Sequence, residues 1–125
     1  MQIEAKAAVR IVDSITELTE QDAGCIAVSG SHGGISSARY ALDARPLLSI
    51  FNDAGLGRDQ AGIAALEWLQ SHDLAACTVA HTSARIGDAR STWEHGMVSH
   101  TNALAQALGV ERGMVCNAME LKYPA

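Results

Sequence analysis

Short apolar runs recur along this chain, each followed by a polar, glycine-bearing segment. Cys25 to Val28, Leu47 to Phe51 and Ala76 to Ala80 read as buried strands. Leu47 to Phe51 is apolar except at Ser49, and a run without alternation is what a strand covered on both faces shows. Ala7 to Val12 predicts a strand before these, and Met114 to Met119 a last one. Between them the period changes to that of helices. Asp13-Ser14-x-x-Glu17 resembles a capping box at the start of a short helical turn. Ser36 to Ala44 predicts a helix, ended by Pro46, which disfavours the helical conformation at Arg45. Asp59 caps a predicted helix through Ser71, with Ile63, Leu66 and Leu69 on one stripe and small Ala61, Gly62 and Ala65 letting it lie close to a sheet. Thr92 to Leu108 is expected to be helical in part, interrupted near Gly96 and closed by Gly109. Strands alternating with helices imply βαβ units. The expected fold is therefore α/β, one domain over residues 1–125, three-layered, with a mainly parallel sheet of about five strands flanked by helices, of Rossmann-like or swivelling type.

Composition narrows the function. The chain has 125 residues, 48% of them hydrophobic but only 4% aromatic, so its core must be aliphatic and alanine-rich. A net charge of -5 offers no electrostatic footprint for nucleic acid. No apolar run approaches the roughly 20 residues that a membrane-spanning helix needs. Met1 to Val9 contains Glu4 and lacks the apolar stretch of a secretory signal, so a cytoplasmic protein is expected. Cys25, Cys77 and Cys116 all fall in apolar, strand-like segments, where thiols act as small buried hydrophobes in a reducing compartment.

The polar segments after the strands carry the candidate chemistry, because ligands of open α/β sheets bind outside the carboxyl ends of parallel strands. Ser29-Gly30-Ser31-His32-Gly33-Gly34 leads into a helix start, a pattern that suits an anion held by backbone N–H groups around Gly33 and Gly34. It is not a Walker loop and does not match G-x-S-x-G. Asn52-Asp53-Ala54-Gly55 places an amide and a carboxylate after a strand, either as an Asx turn or as site groups; adjacent residues face opposite ways, so one of Asn52 and Asp53 is expected to reach the pocket. His81-Thr82-Ser83-Ala84-Arg85-Ile86-Gly87-Asp88 combines an imidazole, hydroxyls, a guanidinium and a carboxylate. Arg85 suits a carboxylate or phosphate, since its planar fork bonds both oxygens. His32 or His81 could move a proton with Asp53 or Asp88 orienting the ring, and Ser31 or Ser83 could serve as a nucleophile. His95 and His100 could join the pocket from the side. The histidines and carboxylates lack zinc-type local spacing, so neither a metal nor a cofactor is expected.

The succession of Ser29 to Gly34, Phe51 to Gly55 and Ser83 to Asp88 resembles a group of small bacterial α/β proteins that carries no named activity. The loop from Ser29 is also similar to that of swivelling α/β domains forming one half of a dehydratase. Neither resemblance assigns a residue role. The expectation is an enzyme acting on an anionic small molecule by hydrolysis or acid–base elimination. Ser29, Gly30, Gly33, Gly34, Asn52 and Arg85 would bind it. The alternative is a non-catalytic binding or regulatory module, or a subunit lending its crevice to a partner. A homo-oligomer is expected in either case, with Trp68, off the helical stripe, as a contact.

Overall fold

The buried runs form strands that lie side by side in chain order. In a computed structural model, which describes residues 7–122, Val9–Val12 (β1), Ile26–His32 (β2), Leu48–Asn52 (β3) and Ala75–Val79 (β4) are parallel, and Val98–Thr101 (β5) closes the sheet antiparallel to β4. β3 and β4 are buried along their whole length, as the missing alternation requires. The sequential order lacks the reversal that marks a Rossmann sheet.

Helices cover both faces. On one, Ile35–Ala44 (α1) and Ala64–Gln70 (α2) pack with Val12, Ala27, Phe51 and Ala76. Alanine dominates the buried side of α1, at Ala38, Ala41 and Ala44, so that helix sits close to the sheet. On the other, Ala89–His95 (α3) and Ala103–Ala107 (α4) bring Trp93, Ala105 and Leu108 onto Val28, Ile50, Cys77 and Val79. Asn102 pins three elements together. Its Nδ2 donates to the carbonyls of Leu66 and Leu74, and its Oδ1 accepts from the N–H groups of Ala76 and Ala105, the last as the cap of α4.

Several boundaries differ from the sequence reading. The helix expected from Asp59 starts at Ala64; Arg58–Ile63 is a 3-10 segment in which Asp59 and Gln60 have φ of 54° and 58°, so Asp59 caps nothing. Gly62 explains the distortion: a Cβ there would meet the Asp53 carbonyl oxygen, so this turn is pressed onto the end of β3. The stretch from Thr92 to Leu108, expected to be helical in part and interrupted near Gly96, does break at Gly96, the C-cap of α3, but a strand, β5, stands between α3 and α4. Val98 to Thr101 mixes one buried valine with half-buried polar residues, too weak a pattern to announce a strand. Met114 to Met119 is not a strand. One bridge, Met97 to Val115, is followed by a 3-10 turn, Cys116–Ala118, and the run is apolar because Met114, Cys116 and Met119 plug the core. The capping box stands, with Ser14 and Glu17 closing Ile15–Glu17, and Gly109 ends α4 at φ 94°. No helix of the described residues is long and apolar enough to cross a membrane.

Candidate functional site

The chain leaves β1, β2 and β3 toward the α1 and α2 face, but leaves β4 toward the opposite face. Where neighbouring strands send their connections apart, a crevice opens between their carboxyl ends. Here it lies between β3 and β4, and the residues that follow those strands meet in it.

Asp53 and His81 form a pair at this point. Asp53 Oδ1 accepts from the backbone N–H of Gly55 at 2.9 Å and of His81 at 3.1 Å, and lies 3.3 Å from His81 Nδ1. The carboxylate is buried; the imidazole is about half exposed, with side-chain exposures of 8% and 55%. Burial works against the charge on Asp53. The N–H of Gly55, the side chain of Ser99 and both groups of His81 outweigh it and hold the carboxyl below the usual aspartate value. An ionised carboxylate only accepts, so the Nδ1 contact puts the proton on Nδ1. The lone pair of the neutral ring is then on Nε2. Gly55, at φ 70°, passes beside the ring, where a Cβ would stand 3.5 Å from Cε1. Behind the pair, Ser99 Oγ and Thr78 Oγ1 are 2.9 Å apart. Sequence reasoning missed both hydroxyls, because Thr78 lies inside a run read as a buried strand and Ser99 in a stretch expected to be partly helical.

From His81 the chain crosses the carboxyl ends of the sheet. Asn52, fully buried on the other side of β3 from Asp53, donates from Nδ2 to the Ala84 carbonyl at 3.0 Å and accepts from Ala54. Gly87 donates to the Gly30 carbonyl at 2.7 Å, and Ala89 to Asp13 Oδ1 at 3.0 Å. A Cβ on Gly30 would run into the backbone of Gly87 and Asp88. The crossing walls a groove of about 570 Å³ lined by His81, Ser83, Arg85, Ser91 and His95, among others. The Arg85 guanidinium is exposed and makes no hydrogen bond or ion pair among the described residues, whereas Arg90 pairs with Glu94 at 3.7 Å.

Other expected site residues are committed to the fold. The Gly30 N–H donates to the Asp13 carbonyl and the Gly33 N–H to the Asn52 carbonyl, so neither is open to an anion, and a Cβ on Gly33 would meet the Gly62 carbonyl. Gly34 is the backbone cap of α1. Ser29 Oγ donates to the Ile50 carbonyl, and Ser31 Oγ accepts from the Ile15 N–H. Ser83 Oγ donates to the Ala80 carbonyl and accepts from Met97. None of these hydroxyls contacts an imidazole. Asp88 is the N-cap of α3 through Ser91. His32, the last residue of β2, is exposed and reaches Ser37 rather than a carboxylate. His95 lies 3.9 Å from Glu94 on the groove rim, and His100 lines a different groove, beside α2.

The three thiols are buried and free. Burial pushes all three up, Cys116 to about 12, so none is a ready nucleophile. Among the described residues no group of three or more histidine, cysteine, aspartate or glutamate side chains could hold a metal ion. The chain matches no family model, no curated protein and no solved structure.

Proposed function

We propose that this protein is a small-molecule enzyme that uses His81 as its general base and acid on an anionic substrate. The observation that carries the reading is the Asp53–His81 pair at the crevice between β3 and β4. Asp53 fixes the ring and stabilises the imidazolium that forms, while Nε2 is left to take a proton. Arg85, unpaired in the same groove, holds a carboxylate or phosphate through two parallel hydrogen bonds. With Ser31 and Ser83 engaged by backbone groups, the base acts on water or on the substrate itself. The reaction class is hydrolysis by an activated water, or elimination. Buried free thiols suit a reducing compartment, so the site of action is the cytoplasm.

A thermal-shift screen over carboxylates and phosphates, followed by turnover assays on each hit, tests the reading. Arg85→Ala removes the stabilisation by the hit, whereas His81→Ala keeps it and loses turnover. Unchanged binding by Arg85→Ala would sink the anchor, and unchanged turnover by His81→Ala would sink the base. One observation favours the alternative of a non-catalytic binding module: the imidazole is half exposed at an open groove. On that reading the hits bind through Arg85 and none is converted.

A further inference from the structure

Among the described residues, β1 leaves one edge of the sheet open. Ile26 donates its N–H to the Ala8 carbonyl at 2.8 Å, and alternate residues of a strand turn their backbone groups to opposite sides. Arg10 and Val12 therefore face β2, and Val9 and Ile11 present N–H and C=O outward. Neither makes an outward hydrogen bond among the described residues. Their side chains are also among the exposed large hydrophobics, at 43% and 42%. Unpaired backbone and uncovered apolar side chains on one short strand are what a pairing edge shows. At the other edge the segment 113–116 lies along β5, with Gly113 donating to the Val98 carbonyl and Val98 to the Met114 carbonyl.

We infer that β1 is a dimer interface, at which two copies of this chain pair antiparallel across a two-fold axis to make one continuous sheet. The edge is self-complementary. With Arg10 on the axis, Val9 of one copy faces Ile11 of the other, and these are the residues whose backbone groups point outward. The apolar strip continues on the same face into a cavity of about 600 Å³, where Val9 and Ile26 meet Trp93, Met119 and Leu121. The two Arg10 side chains come together on the opposite face, but each is held by Asp22 of its own chain at 3.2 Å, so the contact carries paired rather than like charges. Because β5 is covered, the pairing stops at two copies and does not propagate as a fibre. The proposal is independent of the reading of His81.

Sedimentation of the full chain from low micromolar to hundreds of micromolar tests it, alongside two kinds of variant. The wild type is expected to sediment as a dimer, and Ile11→Lys, checked for a native circular dichroism spectrum, as a monomer. Arg10→Cys places two thiols opposite each other on the axis, so oxidation is expected to give a covalent dimer, while Asp22→Cys gives none. A wild-type monomer throughout the range would overturn the proposal, including the case in which β1 serves a foreign strand. So would a dimer that survives Ile11→Lys, or an Arg10→Cys chain that stays monomeric on oxidation. Should Ile11→Lys fail to fold, the cross-linking result decides.

Discussion

One carboxylate oxygen of Asp53 gathers three nitrogen donors, two from the backbone and one from the His81 ring. It thus closes an Asx turn and orients an imidazole at once, two roles that sequence spacing presents as alternatives. The folded-state pKa of Asp53 is depressed, so its contribution to stability is present above the unfolded value and is lost as pH falls through the folded one. Thermal melts should therefore show the wild type losing stability below about pH 4, the ordinary aspartate range, with Asp53→Asn showing a shallower decline. A parallel decline in both proteins would contradict that role. Gly62 provides a second test. A methyl group there collides with the Asp53 carbonyl, so Gly62→Ala should cost at least about 2 kcal/mol in chemical denaturation. Gly24→Ala meets open space at φ 79° and should cost about 1–2 kcal/mol, from backbone conformation alone. His81, Asp53 and Arg85 are all recognisable in the sequence as polar groups after strands. Their sorting into a pair and a free cation is not, because it depends on which side of β3 and β4 each residue leaves.

Among the elements, the segment from His81 to Asp88 behaves as a strap across the ends of β3 and β2, held by Asn52, Gly30 and Asp13. Asn52→Ala leaves the Ala84 carbonyl without its buried donor, a loss of about 1–3 kcal/mol. Hydrogen exchange should locate that loss: the Gly87 amide should exchange faster in Asn52→Ala while the amides of β3 and β4 that pair with each other stay protected. Uniform acceleration across the sheet would mean that the strap is not a separate unit. The buried strands are legible because a run covered on both faces must be apolar. The glycines in and after β2 are legible as special positions but not for their purpose. Both an anion cradle and a close crossing of chains demand a missing Cβ, and only the neighbouring loop distinguishes them. β5 is hidden for a different reason. Its Ser99, His100 and Thr101 are half buried at the margin of the sheet, so no periodicity reaches the sequence.

For the molecule as a whole, the two faces are joined most directly by Asn102, whose amide serves α2, β4 and α4. Asn102→Ala leaves two N–H groups and two carbonyls without it. At about 1–3 kcal/mol for a buried group left unsatisfied, this change should lower global stability more than any single substitution in the groove. Denaturant melts of Asn102→Ala and Arg85→Ala side by side check the ranking. The class of fold follows from alternating strands and helices, but the sequential order of strands does not, since it is set by which edge each crossover returns to. That order has a consequence during synthesis. Each strand from β2 to β4 finds its partner already made, so the sheet can grow as the chain emerges from the ribosome. The face bearing Val28, Ile50, Cys77 and Val79, however, waits for α3, α4 and the segment around Cys116, all of which are translated after β4. A chain truncated after Gly87 and released from the ribosome would hold a paired sheet with one naked apolar side, and should bind holding chaperones that release the full chain.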